Sequence, residues 1–241
     1  MATSFTGIVY TFLTLGLTAI SYRFFLYWRK AKEIISGFLF LGISIITVVC
    51  GFGILSGIFW AESPEKIRLT VIITSFLVAL ANSFFAYLTV YIKFPKISPW
   101  WGFGALFLFG MITSVLTIIV PVNPYLEATG GINWGIPLQI GILRALLYFL
   151  GCFPLFIATF ERFIKRNIWS EEPALRIRAF LLGMLLLLGT IIPIDDFVVE
   201  PALGLHALIS EVLILILAGV VILMYFISIR LRPPKYVKKI T

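Results

Sequence analysis

The chain has 241 residues, 61% of them hydrophobic and only 12% charged, with a mean hydropathy of +1.07. A soluble domain needs more polar surface than this to meet water, and the apolar residues fall in runs of membrane-spanning length. The net charge of +8 would point to nucleic acid in a soluble protein, but its distribution along this chain gives it another role.

The opening "MATSFTGIVYTF" has no basic n-region and no clear cleavage site after it, so a removable signal peptide is not expected. Seven segments pass the length test, at about 5–27, 34–60, 69–92, 101–122, 137–161, 177–197 and 203–229. Within lipid each must be a helix, because every backbone polar group needs an internal partner. The expected fold class is an all-α integral membrane protein. It is a single seven-helix transmembrane domain over 1–241, ending in a short basic tail at 230–241.

The first span ends in "YRFFLYWRK". The second holds "GFGILSG", with Gly53 and Gly57 at small-xxx-small spacing, which predicts close packing within the bundle or between subunits. In the third span Asn82 and Ser83 sit midway, with Thr74 and Ser75 nearer its start. Such groups hydrogen-bond between helices, and Asn82 is also a candidate site residue. Cys50 and Cys152 lie in apolar runs without metal-ligand spacing and read as small core residues.

Arg144 stands about seven residues into the fifth span, roughly 10 Å deep at 1.5 Å per residue. Pro154 predicts a kink farther along the same helix. The sixth span ends at "IIPIDDFVVE", where Pro193 should loosen the helix before Asp195 and Asp196. These two carboxylates diverge by about 100°, so at least one is expected to face water. The seventh span opens with His206, the chain's one histidine, followed by Ser210 and Glu211. His206 and Ser210 share a helix face, while Glu211 lies about 140° round from His206. Glu211 is about eight residues into its span, roughly 12 Å deep.

Lysines and arginines set the direction. Fifteen lie in the loops after spans 1, 3 and 5 and in the tail; the N-terminus and the other loops carry two, Lys66 and Arg68. That asymmetry predicts an N-terminus outside and a C-terminus in the cytoplasm, the basic residues meeting anionic lipid heads. Tyr27, Trp28, Trp100, Trp101 and Trp169 then belong to the inner aromatic belt, and Trp60, Tyr125 and Trp134 to the outer one. The outer mouth holds seven acids against Lys66, Arg68 and Arg144, which favours cations or basic groups.

A charge inside a span costs about 2.5–3.5 kcal/mol on insertion scales and so faces the bundle interior with a partner. Arg144 and Glu211 share a stratum, and their pairing is expected. The candidate ligand-binding or proton-active residues are Arg144, Glu211, His206, Asp195, Asp196, Ser210 and Asn82. They are expected to line an outward-opening cavity between spans 5, 6 and 7.

Seven spans with the N-terminus outside is the topology of rhodopsins and of G-protein-coupled receptors, and the likeness stops there. Microbial rhodopsins attach retinal to a lysine of the last helix, and 203–229 contains none. The acidic-Arg-aromatic end of the receptors' third span is absent from "AYLTVYIKFP". Bis-histidine haem needs two histidines, metal-dependent intramembrane hydrolysis several ligands, and prenyl transfer paired Asp-rich motifs. No nucleophile-plus-base pair can be assembled. No cofactor, no metal and no catalysis are expected.

What remains is a non-catalytic seven-helix protein of sensor or receptor type, or a subunit of a membrane complex, multi-pass in the plasma membrane. Its expected partners are the lipid bilayer, a small or lipid-like ligand from the outer side, and a membrane partner protein or further copies of itself. Nucleic acid is not expected. The short tail, with no output domain after it, points the same way, to signalling through a partner. The rival is a small-solute or proton-coupled transporter with a 3+1+3 helix plan, since spans 1–3 and 5–7 run in the same directions. The "YRFFLYWRK" and "ERFIKRNIW" ends of spans 1 and 5 are faintly alike, but matching broken helices in the two halves are missing.

Overall fold

The computed structural model describes the backbone of residues 4–165, 173–203 and 208–230, with side chains except at 162–165, 173–179, 208 and 227–230. His206, Trp169 and the basic tail from residue 231 lie outside the described residues.

Among the described residues eight helices and one small hairpin follow in order. Helix α1 is Phe5–Ala31 and α2 is Ile34–Ile54, the latter continued by a π turn, Leu55–Phe59. Then come α3, Pro64–Lys93, and α4, Pro99–Ile119. Strands β1, Tyr125–Leu126, and β2, Ile132–Asn133, pair antiparallel. Helix α5 is Leu138–Lys165 and α6 is Pro173–Ile194. A second π turn, Asp195–Val199, leads into the short α7, Glu200–Leu203, and α8 is Leu208–Arg230.

Among the described residues seven helices are long and apolar enough to cross a membrane, the architecture of a multi-pass membrane protein. Their surface fits that reading, since large apolar side chains such as Leu15, Leu108 and Ile119 stand exposed on it. The sixth span differs from expectation. It does not end near residue 197 but runs on through the π turn to Leu203. Proline lacks the N–H of the helical ladder and crowds the preceding turn; the π widening begins two residues after Pro193. Helix α5, by contrast, continues through Pro154.

The helices close into a ring, α1–α2–α3–α5–α6–α8, with α8 returning to α1; α4 packs outside it, against α3 and α5. Apolar surface gains little by leaving lipid, so close approach of small residues has to hold such contacts. On α4, Gly110 lies against Ala79 of α3 so closely that a Cβ would overlap it. Gly53 of α2 faces the Tyr10 ring and Gly57 of the π turn that continues it faces the Gly7 backbone, both on α1. The small-residue spacing of the second span therefore serves the α1–α2 contact inside the bundle. Cys50 and Cys152 are free, buried members of the main core.

One end of the bundle gathers the start of α1, the two π turns, the hairpin and α7. It will be called the hairpin end. The Ser4 N–H donates to the Gly57 carbonyl at 2.9 Å, and the Phe5 N–H to Gly130 at 2.9 Å. Gly130 holds φ of 83°, a left-handed conformation that a side chain would resist. At the opposite, basic end Trp100 and Trp101 are exposed, as belt residues would be.

Candidate functional site

Arg144 is the buried cation of the hairpin end, 8% exposed. Its Nη2 donates to the Val71 carbonyl at 3.1 Å and to Ser75 Oγ, both on α3. Ser75 in turn donates to the same carbonyl at 2.6 Å. The guanidinium carbon stands 5.2 Å from the centre of the Phe197 ring, a cation–π contact. Both hydrogen bonds use Nη2; among the described residues Nε and Nη1 donate none.

The π turn puts Phe197 there. Gly141, one turn before Arg144, lies so close to the Phe197 carbonyl that a Cβ would overlap it. Backbone can approach backbone only because position 141 has no side chain. The approach brings the Phe197 ring beside Tyr148, centroids 6.5 Å apart.

A cavity of about 70 Å³ lies in front of the guanidinium. Its walls are Tyr10 of α1, Val49 and Gly53 of α2, Thr70, Val71, Thr74 and Val78 of α3, Trp134, Arg144 and Tyr148, and Asp196 and Phe197. A second cavity of about 50 Å³ lies between the segment after β2 and the π turn, lined by residues 133–136, Asp196, Phe197, Glu200 and Pro201. Trp134, Asp196 and Phe197 belong to both and form the wall between the two chambers, of which the one at Arg144 will be called the inner. Trp134 is thus a cavity wall, set edge-on to Tyr10 at 6.4 Å, rather than a belt anchor.

The expected Arg144–Glu211 pair does not form. Glu211, 3% exposed, accepts a hydrogen bond from Thr6 Oγ1 of α1, and that oxygen accepts from the Ile132 N–H of β2 at 2.9 Å. The ring order explains the miss: α6 stands between α5 and α8, so residues at equal depth on those helices face different neighbours. The expected cavity between spans 5, 6 and 7 is corrected for the same reason. Its walls come from spans 1, 2, 3, 5 and 6, and no residue of α8 lines it.

The other candidates divide. Asp196 joins Arg144 in the inner chamber without an ion pair between them. Asp195 has its Oδ2 buried and without a hydrogen-bond partner among the described residues. Ser210 is buried, and its N–H donates to Glu200 Oε1 at 2.9 Å, so Glu200 caps the first turn of α8 as a side-chain cap would. Asn82 is fully buried away from both chambers; its Nδ2 donates to Val78 at 3.0 Å and its Oδ1 lies 3.6 Å from Cys152 Sγ of α5. It ties α3 to α5.

The readings from sequence missed Thr6, Tyr10, Tyr148 and Phe197. A Gly three residues ahead of a mid-span Arg was the one legible signal, since it marks where another backbone comes close to that face. A larger groove of about 720 Å³ lies at the basic end, where Lys93 and Glu161 on its wall already pair with each other. Among the described residues no group of three or more His, Cys, Asp or Glu is arranged to hold a metal ion.

Fold and site together define a multi-pass helical membrane protein with a small chamber bordered by a buried arginine near one end of the bundle. No family model matches the sequence, no curated protein matches it, and no solved structure matches the fold.

Proposed function

We propose that the protein is a non-catalytic membrane sensor, or the ligand-binding subunit of a membrane complex, that takes a small ligand into the Arg144 chamber. The observation that carries this is the state of Arg144. It is buried, two of its nitrogens donate to no described group, and it borders a cavity that shares Trp134, Asp196 and Phe197 of its wall with a second one. A buried guanidinium with unused donors is a receiver for an acceptor group, and a hydrogen bond from a charged donor is stronger than a neutral one. The hairpin end faces outside on this reading, supported by the fifteen-to-two division of basic residues, and the membrane is the plasma membrane.

The chamber bounds the ligand. At about 70 Å³ it is far below the roughly 300–1,000 Å³ of pockets for drug-sized molecules, so it suits a small polar head and not an acyl chain. A carrier is the second reading, favoured by the exclusion of α4 from the ring, as a 3+1+3 plan would have it.

Binding and flux separate the two. The sensor reading expects saturable binding to the purified protein, lost in Arg144→Gln, without solute flux in proteoliposomes. Arg144-dependent flux decides for the carrier, and binding indifferent to Arg144 removes the chamber from either. Cysteine labelling of the 161–178 stretch from outside the cell would reverse the orientation.

A further inference from the structure

We infer that the Arg144 chamber holds a monovalent, monatomic anion, a halide, on the unused donors of the guanidinium. The inference rests on the reading above that this is a ligand site, and it names the ligand's chemical class.

The chain answers this cation only in part. Arg144 is 8% exposed, and its two hydrogen bonds go to neutral oxygens of Val71 and Ser75, both from Nη2. No carboxylate among the described residues forms an ion pair with it. A charge held inside a bundle calls for a counter-charge. Of the described carboxyl groups at this end only Asp196 borders the chamber; Glu200 is turned to Ser210 and Glu211 to Thr6. Water can accept the remaining N–H bonds, but it leaves the charge standing.

The donors favour a sphere over a flat acid. A carboxylate is gripped by two parallel N–H groups on one edge of a guanidinium. Nη2 already serves Val71 and Ser75, and the remaining Nε and Nη1 lie on different edges, so each offers its hydrogen alone. Tyr10, Trp134 and Tyr148 border the same space, each with one O–H or N–H that donates to no described group. Single donors from separate side chains suit an ion that accepts from any direction.

Size and charge narrow the class further. About 70 Å³ equals the liquid volume of little more than two waters at roughly 30 Å³ each. That admits an ion with a water beside it, but not a sulfate or a phosphate. Arg144 is the one cation bordering the space, so a second negative charge on the ligand would go unanswered. Any negative charge on Asp196 competes with the anion for the same guanidinium. Asp196 is therefore the anion's rival and not its ligand.

The test is equilibrium dialysis of radiolabelled chloride against the full chain in nanodiscs, with gluconate, an anion too large for the chamber, holding ionic strength constant. Chloride should bind saturably, bromide should displace it, and sulfate should do so at least about tenfold less well. Arg144→Gln should weaken binding at least about tenfold, because a hydrogen bond from a charged group is lost. Asp196→Asn, nearly the same shape, should leave binding unchanged or tighter. Thermal midpoints establish that the variants fold, and the competition series uses the unaltered protein, so it stands even where a variant does not. Absence of saturable chloride binding overturns the inference, as does sulfate competing as well as bromide. Weaker binding in a folded Asp196→Asn also overturns it, since the carboxyl would then be a ligand. Formate or formamide may be the true occupant: if either raises the thermal midpoint saturably through Arg144 while chloride does not bind, the inference falls and the ligand site stands. Chloride binding unchanged in a folded Arg144→Gln puts the ion elsewhere and overturns both.

Discussion

The carbonyl of Phe197 rests against Gly141, where no side chain could stand between them. Through that contact the π turn holds Phe197 over Arg144 and sets Asp196 in the chamber wall.

Gly141→Ala should therefore push the turn outward. Overpacking of this kind costs about 1–3 kcal/mol, visible as a lower thermal midpoint, and ligand binding should fall with it. Gly51→Ala is the control, since a Cβ there meets nothing within 4 Å. Within a helix that change should be neutral or stabilising by up to about 1 kcal/mol. Equal behaviour of the two variants would mean that the close approach at 141 is dispensable.

Thr6 joins three elements, donating to Glu211 of α8 and accepting from Ile132 of β2. Thr6→Val keeps the shape and leaves both buried partners unsatisfied, at about 1–3 kcal/mol. A double-mutant cycle of Thr6→Val with Glu211→Ala should show coupling of at least about 0.5 kcal/mol. The cycle of Arg144→Ala with Glu211→Ala should instead be additive within about 0.5 kcal/mol, because α6 separates their helices. Strong coupling in the second cycle would contradict the ring order.

Glu200 accepts the Ser210 N–H at 2.9 Å. Replacing it with alanine removes a helix cap, a loss of about 0.5–2 kcal/mol, whereas Glu200→Gln keeps an acceptor oxygen in place. Hydrogen exchange at the Ser210 amide reads the difference directly. It should speed up clearly in the alanine variant and much less in the glutamine one.

Lys93 and Glu161 form an ion pair between α3 and α5 at the basic end, with side chains 29% and 36% exposed. Pairs so open to solvent contribute about 0–1 kcal/mol. Lys93→Met should move the thermal midpoint little, and added salt should shrink even that difference. A loss above 2 kcal/mol would assign the groove a structural role that partial exposure does not predict.

Seven spans, the burial of Arg144 and Glu211, and the acidic character of one end against the basic character of the other were all legible in the chain. These properties depend on position along one axis. Span length follows from the thickness of lipid, depth from 1.5 Å of rise per residue, and sidedness from a count of charges loop by loop. Azimuth is not of that kind. Which face of a helix meets which neighbour depends on contacts between residues far apart, such as Gly110 on Ala79, Gly57 on Gly7 and Gly141 on Phe197. Those contacts left α4 outside the ring and set α6 between α5 and α8. They turned Arg144 toward Ser75 and Glu211 toward Thr6, so two buried charges became parts of separate networks. That these charges are buried was written in the sequence, whereas partnership was decided by close approach of small residues in three dimensions.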